Sequence, residues 1–173
     1  MNSSQIVCGH CDSIVRLPND RLGESPRCPK CHNALFEGHP LTLRTANFDR
    51  HLTRGDLPVV VDFWAPWCGP CLQMAPNYEE ASRRLQTQAR FAKVNSDDEP
   101  TLSSRFGIRG IPTLIAFRQG KEIARESGAI SEIQLDASTQ AMPPWSTHFS
   151  GGSRHQSVSG WLNAYSTLLS VAR

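Results

Sequence analysis

No uninterrupted apolar stretch of about 18 residues occurs in the chain, so nothing in it reads as a membrane-spanning helix. Charge of one sign is not in excess either. Lys and Arg total 18 against 16 Asp and Glu, and a net charge of +2 over 173 residues gives no electrostatic reason to expect nucleic acid or an anionic membrane as principal partner. The opening residues, from Met1 to Cys8, lack the basic start, the apolar run of roughly 7 to 15 residues and the small-residue cleavage site of a secretory signal. A soluble, cytoplasmic protein is therefore expected, in a compartment where cysteines do metal or redox chemistry. No internal repeat is visible. The length allows one full core with a small accessory module, not two ordinary enzyme domains.

What the chain does have is six cysteines, in C-x-x-C pairs: Cys8/Cys11, Cys28/Cys31 and Cys68/Cys71. The first two pairs lie in residues 1–38, a segment rich in Pro, Gly, Asn, Asp and Arg with only short apolar runs such as Ile14-Val15 and Leu35-Phe36. Below about 40 residues such a segment needs a metal or disulfides to fold. Residues 12–27 separate the pairs, within the roughly 15 to 20 residue spacing of a four-thiolate zinc site. Four soft ligands in tetrahedral array suit Zn²⁺, and binding would supply the missing folding energy. Structural disulfides or a four-cysteine iron centre are the alternatives. Gly9 and Pro29 are expected to ease the turns, with His10 and His32 as bystanders.

From Leu41 the pattern becomes α/β. A helix is expected from Asn47 to about Thr53, closed by Gly55. Val59-Val60-Val61-Asp62-Phe63-Trp64 is continuous rather than alternating, as in a central strand covered on both faces. The run from Cys71 to about Gln88 carries apolar residues at mixed three and four spacing and predicts an amphipathic helix kinked at Pro76. Phe91–Asn95 reads as a strand, Pro100–Phe106 as a helix, and Thr113–Phe117 with Glu122–Glu126 as a hairpin around Gln119-Gly120. Beyond it, residues 131–141 read as a helix, 143–155 as a Pro, Ser and Gly-rich linker, and 157–171 as a second, more strongly amphipathic helix.

Cys68 follows the buried strand and opens the long helix, where unpaired N–H groups and the helix dipole favour a thiolate. It is therefore read as the attacking nucleophile, and Cys71, about one turn into the helix and more buried, as the resolving thiol. Pro70 stiffens the loop between them. The alternative is a pair of buried or metal-binding cysteines. Trp64, Trp67, Gly69 and Pro70 around the motif, with no further ligand nearby in sequence, speak against it.

The run from Val61 to Cys71 resembles the thioredoxin family, as do Ala75-Pro76, Phe91-Ala92-Lys93-Val94-Asn95, Arg105-Phe106-Gly107-Ile108, Ile111-Pro112-Thr113 and Gly128-Ala129. The likeness covers about residues 41 to 135. With the N-terminal cysteines, it is nearest to the zinc-containing bacterial thioredoxin 2 branch. It implies a thioredoxin fold, a central mixed β-sheet flanked by helices, with a small zinc-ribbon-like module. The domains expected are 1–38 (zinc module), 39–135 (thioredoxin domain), 136–156 (linker or insertion) and 157–173 (C-terminal helix).

The resemblance also assigns roles. Asp62 matches a buried acid that exchanges a proton with Cys71, and Lys93 its partner; an exposed strand-end acid and a solvent-facing lysine are the plainer readings. Pro112 matches a cis-proline, although most X-Pro bonds are trans, and Ile111 pairs with extended substrate. Trp67, Gly69, Pro70, Gly110, Gly128 and Ala129 match the surface on which substrate docks. Leu72 departs from the family, which usually carries Lys or Arg there. The implied function is protein-disulfide reduction by a monomer, without a bound organic cofactor, renewed by NADPH through thioredoxin reductase. The rival is a zinc-ribbon binding or redox-sensing chaperone module that uses the thioredoxin domain as a docking platform.

Overall fold

The computed structural model describes residues 2–128. The helices and linker expected beyond residue 130, and Ala129, lie outside the described residues.

The chain begins with a hairpin of β1 (Ser3–Val7) and β2 (Ile14–Pro18), paired antiparallel, followed by a 3-10 turn at Asn19–Arg21. Sequence reading had seen only short apolar runs here. Their partners are each other: Ile6 opposes Val15, and these two pack with Leu22, Leu35, Phe36 and Leu57 around Cys8 and Cys28.

A five-stranded mixed sheet follows. Its elements are β3 (Leu41–Thr42), α1 (Phe48–Arg54), β4 (Val59–Trp64), α2 (Gly69–Leu85), β5 (Arg90–Asn95), α3 (Pro100–Arg105), β6 (Thr113–Arg118) and β7 (Lys121–Ser127). The order across the sheet is β3-β5-β4-β6-β7, with β4 parallel to β5 and antiparallel to β6. The α/β alternation and the central β4 match expectation; β3, two residues long, carried no sequence signal.

The pleat explains β4's unbroken apolar character. Val59, Val61 and Phe63 enter a core with Phe48, Leu52, Leu102 and Phe117, while Val60 enters a second core with Met74, Tyr78, Leu85 and Leu114 of α2 and β6. By the same period of two, Asp62 and Trp64 belong to the α2 side. On β5, Ala92 and Val94 join the first core and Phe91 the second, so Lys93 also faces the α2 side.

Helix α2 starts two residues before the expected Cys71. Cys68 is its N-cap and Pro70 lies in its first turn, where a fixed φ and a missing donor cost nothing. Pro76 lies inside α2, which continues through it. At the β6–β7 turn, Gln119 and Gly120 both have positive φ, and the Gly120 N–H donates to the Leu52 carbonyl of α1 (2.8 Å).

Phe48 shows how α1 is held. Its ring is fully buried, 5.2 Å from the Phe106 ring and 6.0 Å from that of Phe117. Phe48→Ala should cost about 3 to 5 kcal/mol in urea unfolding; a loss below about 1 kcal/mol would show that α1 adds little to this core.

Candidate active site and metal centre

Cys68 and Cys71 are joined by a disulfide at the N-terminus of α2. The Cys68 sulfur accepts the Cys71 N–H at 3.2 Å, a cap that satisfies one otherwise orphaned donor and that would strengthen were the sulfur a thiolate. Ala65, Trp64 and Ile111 pack around the pair. The expected difference in burial is small in this oxidised form, in which Cys68 is 4% and Cys71 2% exposed.

Above the disulfide, Trp67 is 70% exposed and Leu72 53%, an apolar surface beside the sulfurs. The Trp67 indole N–H donates to Asp97 Oδ2 at 2.7 Å, and the Asp97 N–H in turn donates to Asn95 Oδ1 at 3.1 Å. Asp97 escaped sequence reading because nothing in the local pattern Ser96-Asp97-Asp98 distinguishes it from turn residues.

The Ile111–Pro112 bond is cis. Thr113, in register with Ser127 and also with Phe63 of β4, donates its hydroxyl to the Gly110 carbonyl (2.7 Å), and the Gly128 N–H donates to the Pro112 carbonyl (2.8 Å). Gly69, Gly110 and Gly128 share a property: a Cβ added at any of them would meet nothing within 4 Å. Their lack of side chains leaves open surface rather than relieving internal crowding.

Asp62 is 1% exposed, and its Oδ1 has no hydrogen-bond partner. It is no exposed strand-end acid. Burial pushes its carboxyl up to about 7, opposed by the charge of Lys93, its register partner on β5. The Lys93 ammonium lies 4.5 Å from the centre of the Trp64 ring. Tyr78 of α2, fully buried, directs its hydroxyl to the carbonyls of Val60 (2.8 Å) and Ala92 (2.9 Å), spanning β4 and β5 just beside Asp62. Tyr78 falls within the apolar periodicity of the helix after Cys71, which carries no sign of this bond.

The other four cysteines form one cluster whose sulfurs all lie within 4.8 Å of one another. Cys8 and Cys31 are 3.6 Å apart at sulfur and Cys11 and Cys28 3.7 Å. These are not disulfide distances. Tetrahedral zinc with Zn–S near 2.3 Å places its sulfurs about 3.8 Å apart, so the cluster fits that ion. Each knuckle is built alike: the Cys8 N–H donates to Ser13 O and the Asp12 N–H to Cys8 O, as the Cys28 N–H donates to Asn33 O and the His32 N–H to Cys28 O. Both Gly9 and Pro29 lie in the turns, as expected, but the positive φ that closes each turn falls on Asp12 and His32. Gly9 instead allows close approach, since a Cβ there would come within 2.4 Å of the Leu41 side chain. Burial pushes the Cys8 thiol up to about 12, whereas hydrogen bonds from Ser13 bring Cys11 down to about 6.

The family model Thioredoxin matches residues 39–141, and a second, described as Thioredoxin 2, N-terminal, matches residues 7–33. The chain is 39% identical over 130 residues to thioredoxin C-3 of Corynebacterium nephridii, covering 75% of this chain and 89% of that one. It is 39% identical over 99 residues to a thioredoxin of Pseudomonas aeruginosa, covering 57% of this chain and 92% of that one. A mutant thioredoxin from Halobacterium salinarum superposes with a TM-score of 0.56 at 30% identity, over 66% of this chain and 96% of that one.

Asp62 yields a pH prediction. Its folded value, about 7, lies above the ordinary 3.8, so the native state holds an extra proton between those limits. Its contribution to stability is present below about pH 4 and is lost as pH rises through 7. Relative to Asp62→Asn, the wild type should lose up to about 4 kcal/mol between pH 4 and pH 9 in urea titrations. A gap independent of pH would contradict this.

Proposed function

The chain belongs to the thioredoxin family and exchanges dithiols with protein disulfides, and we propose the following division of roles among its residues. The observation that carries it is the Cys68–Cys71 disulfide at the N-cap of α2, directly following the exposed Trp67.

In the reduced protein, the Cys68 thiolate attacks one sulfur of a substrate disulfide. The new bond is the mixed disulfide, and the substrate's other cysteine leaves as a thiolate and takes a proton. The Cys71 thiol then passes its proton to Asp62 and attacks the Cys68 sulfur, expelling the second substrate thiolate and leaving the Cys68–Cys71 disulfide. Two electrons have moved to substrate. Asp62 suits this step because a carboxyl held near 7 accepts and returns a proton at neutral pH. Its place on the α2 side of β4, with its Oδ1 free of other bonds, supports the assignment. Lys93, in register with it, biases the carboxyl toward ionisation.

Substrate lies as an extended segment along Ile111 and Pro112, over Gly69, Pro70 and Gly110 and toward Gly128 and Ala129, with Trp67 as an apolar wall. The open space at the three described glycines leaves room for that segment. NADPH, through thioredoxin reductase, returns the disulfide to the dithiol. The protein works in the cytoplasm as a monomer; among the described residues no helix is long and apolar enough to cross a membrane.

Cys8, Cys11, Cys28 and Cys31 hold Zn²⁺, which supplies folding energy to residues 1–38 and shares no ligand with the redox pair.

Insulin reduction tests the redox assignment. Cys68→Ser should abolish turbidity, while Cys71→Ser should accumulate a mixed disulfide that separates on a non-reducing gel; equal rates in wild type and Cys68→Ser would sink it. Stripping zinc from the reduced protein should lower the thermal midpoint while insulin reduction persists at a temperature where the sheet remains folded. Abolished reduction under those conditions would instead favour the redox-sensing role of the module.

A further inference from the structure

Arg90, the first residue of β5, is not used by the redox chemistry, yet its side chain leaves the sheet and enters the cysteine module. Its Nη1 donates to the Leu35 carbonyl at 2.7 Å, and its guanidinium carbon lies 5.1 Å from the centre of the Phe36 ring. Its Nη2 comes within 3.9 Å of the place a Cβ would occupy on Gly9, the residue between Cys8 and His10. The guanidinium is therefore wedged between the first knuckle and the segment that follows the second. Its Nε is buried without a partner. Its backbone is fixed just as firmly, with the N–H donating to Pro58 O at 2.7 Å and the residue in register with Val59 of β4.

Enclosing a cation in this way is costly unless an anion answers it. Burial does press Arg90 down to about 10, while Cys8 and Glu37 act to keep it charged. At neutral pH it remains a cation. Four thiolates around one Zn²⁺ carry a net charge of −2, and the other guanidinium groups at the knuckles, Arg50 on the Asp12 carbonyl (2.5 Å) and Arg27 on the His32 carbonyl (3.1 Å), belong to exposed residues. Among the described residues, Arg90 is the strand residue whose cationic group reaches the cluster's first knuckle.

We propose that Arg90 is the counter-charge of the zinc tetrathiolate and the link that ties the metal module to the edge of β5, so that zinc retention depends on the thioredoxin sheet as well as on the four ligands. This rests on the zinc reading. The charge is what matters most, because a guanidinium with a buried Nε, packed against Leu35 and Phe36, is screened less than one in open solvent. The hydrogen bond to Leu35 fixes where that charge sits. Arg90 acts through the ligands and not on the metal, so it is a positioning residue.

The test uses the full reduced chain loaded with zinc and follows metal transfer to an excess of a chromogenic chelator, with circular dichroism as the check on folding. Arg90→Gln keeps a donor near Leu35 but removes the charge, and should release zinc about 10 to 100 times faster than wild type, the range expected on losing a group that supports metal ligands. Arg90→Lys keeps the charge and should stay below that tenfold bound. Wild-type release in Arg90→Gln, or release at least tenfold faster in Arg90→Lys, overturns the inference while leaving the zinc site intact. If Arg90→Gln does not fold, Arg90→Lys decides alone by the same bound. A wild-type chain that takes up no zinc overturns the zinc reading and this inference with it.

Discussion

Because β4 is paired on both edges and covered on both faces, no residue of it can move without disturbing two ladders or two cores, and each part of the redox site is positioned from it. Its pleat turns Asp62 toward α2. Its parallel register with β5 sets Lys93 beside Asp62, and its antiparallel register with β6 brings Thr113, and with it Pro112, level with Phe63. Its end leads within one short turn to Cys68 and the first N–H groups of α2. The chemistry then needs little from loops: an apolar wall, a few open glycines and a sulfur held over a helix N-terminus.

That arrangement sets stability against function. A continuous apolar strand would be better served by a Val or Ile at position 62 than by a carboxyl with an unbonded oxygen. The cost is tolerable because the group adopts its neutral form over much of the pH range, and because Lys93 softens its ionisation. The hydroxyl of Tyr78 clamps the two strands on either side of this weak point, bonding to carbonyls of both. A carboxyl able to change protonation near neutrality thus sits on the central strand, paired on both edges and packed on both faces.

Much of this was legible in the residues, and the rest was not for identifiable reasons. The apolar run at 59–64, the C-x-x-C spacings and the helical periodicity after Cys71 are local patterns, so β4, α2 and the cysteine cluster could be read directly. Strand β3 could not, because two residues carry no period, and it exists only by pairing with Ala92 and Lys93. The positive φ that closes each knuckle falls on Asp12 and His32, neither of them the glycine that local rules single out for that conformation; the knuckle hydrogen bonds decide the matter. Asp97, the Tyr78 hydroxyl and Arg90 all depend on contacts between elements far apart in sequence. Arg90 alone left a trace, as a charge at the head of the strand.

The same long-range contacts explain why a segment too small for a core of its own can be held in one place. Gln5 and Asp56 exchange two hydrogen bonds, the Asp56 carboxylate accepting the Gln5 N–H and the Gln5 carbonyl accepting the Asp56 N–H. Asp12, just after Cys11, meets His51 at 2.9 Å, and burial holds that imidazole below its usual range, which favours its neutral form. The Gly38 N–H reaches the side chain of Gln86, the residue that follows α2, and Leu57 contributes to the module's apolar cluster. Each tether is anchored in α1 or within a few residues of an end of α1, β4 or α2. Order in the metal module is therefore partly borrowed from the sheet, and the metal need organise only the two knuckles, whose backbones the sheet has already brought within reach of each other.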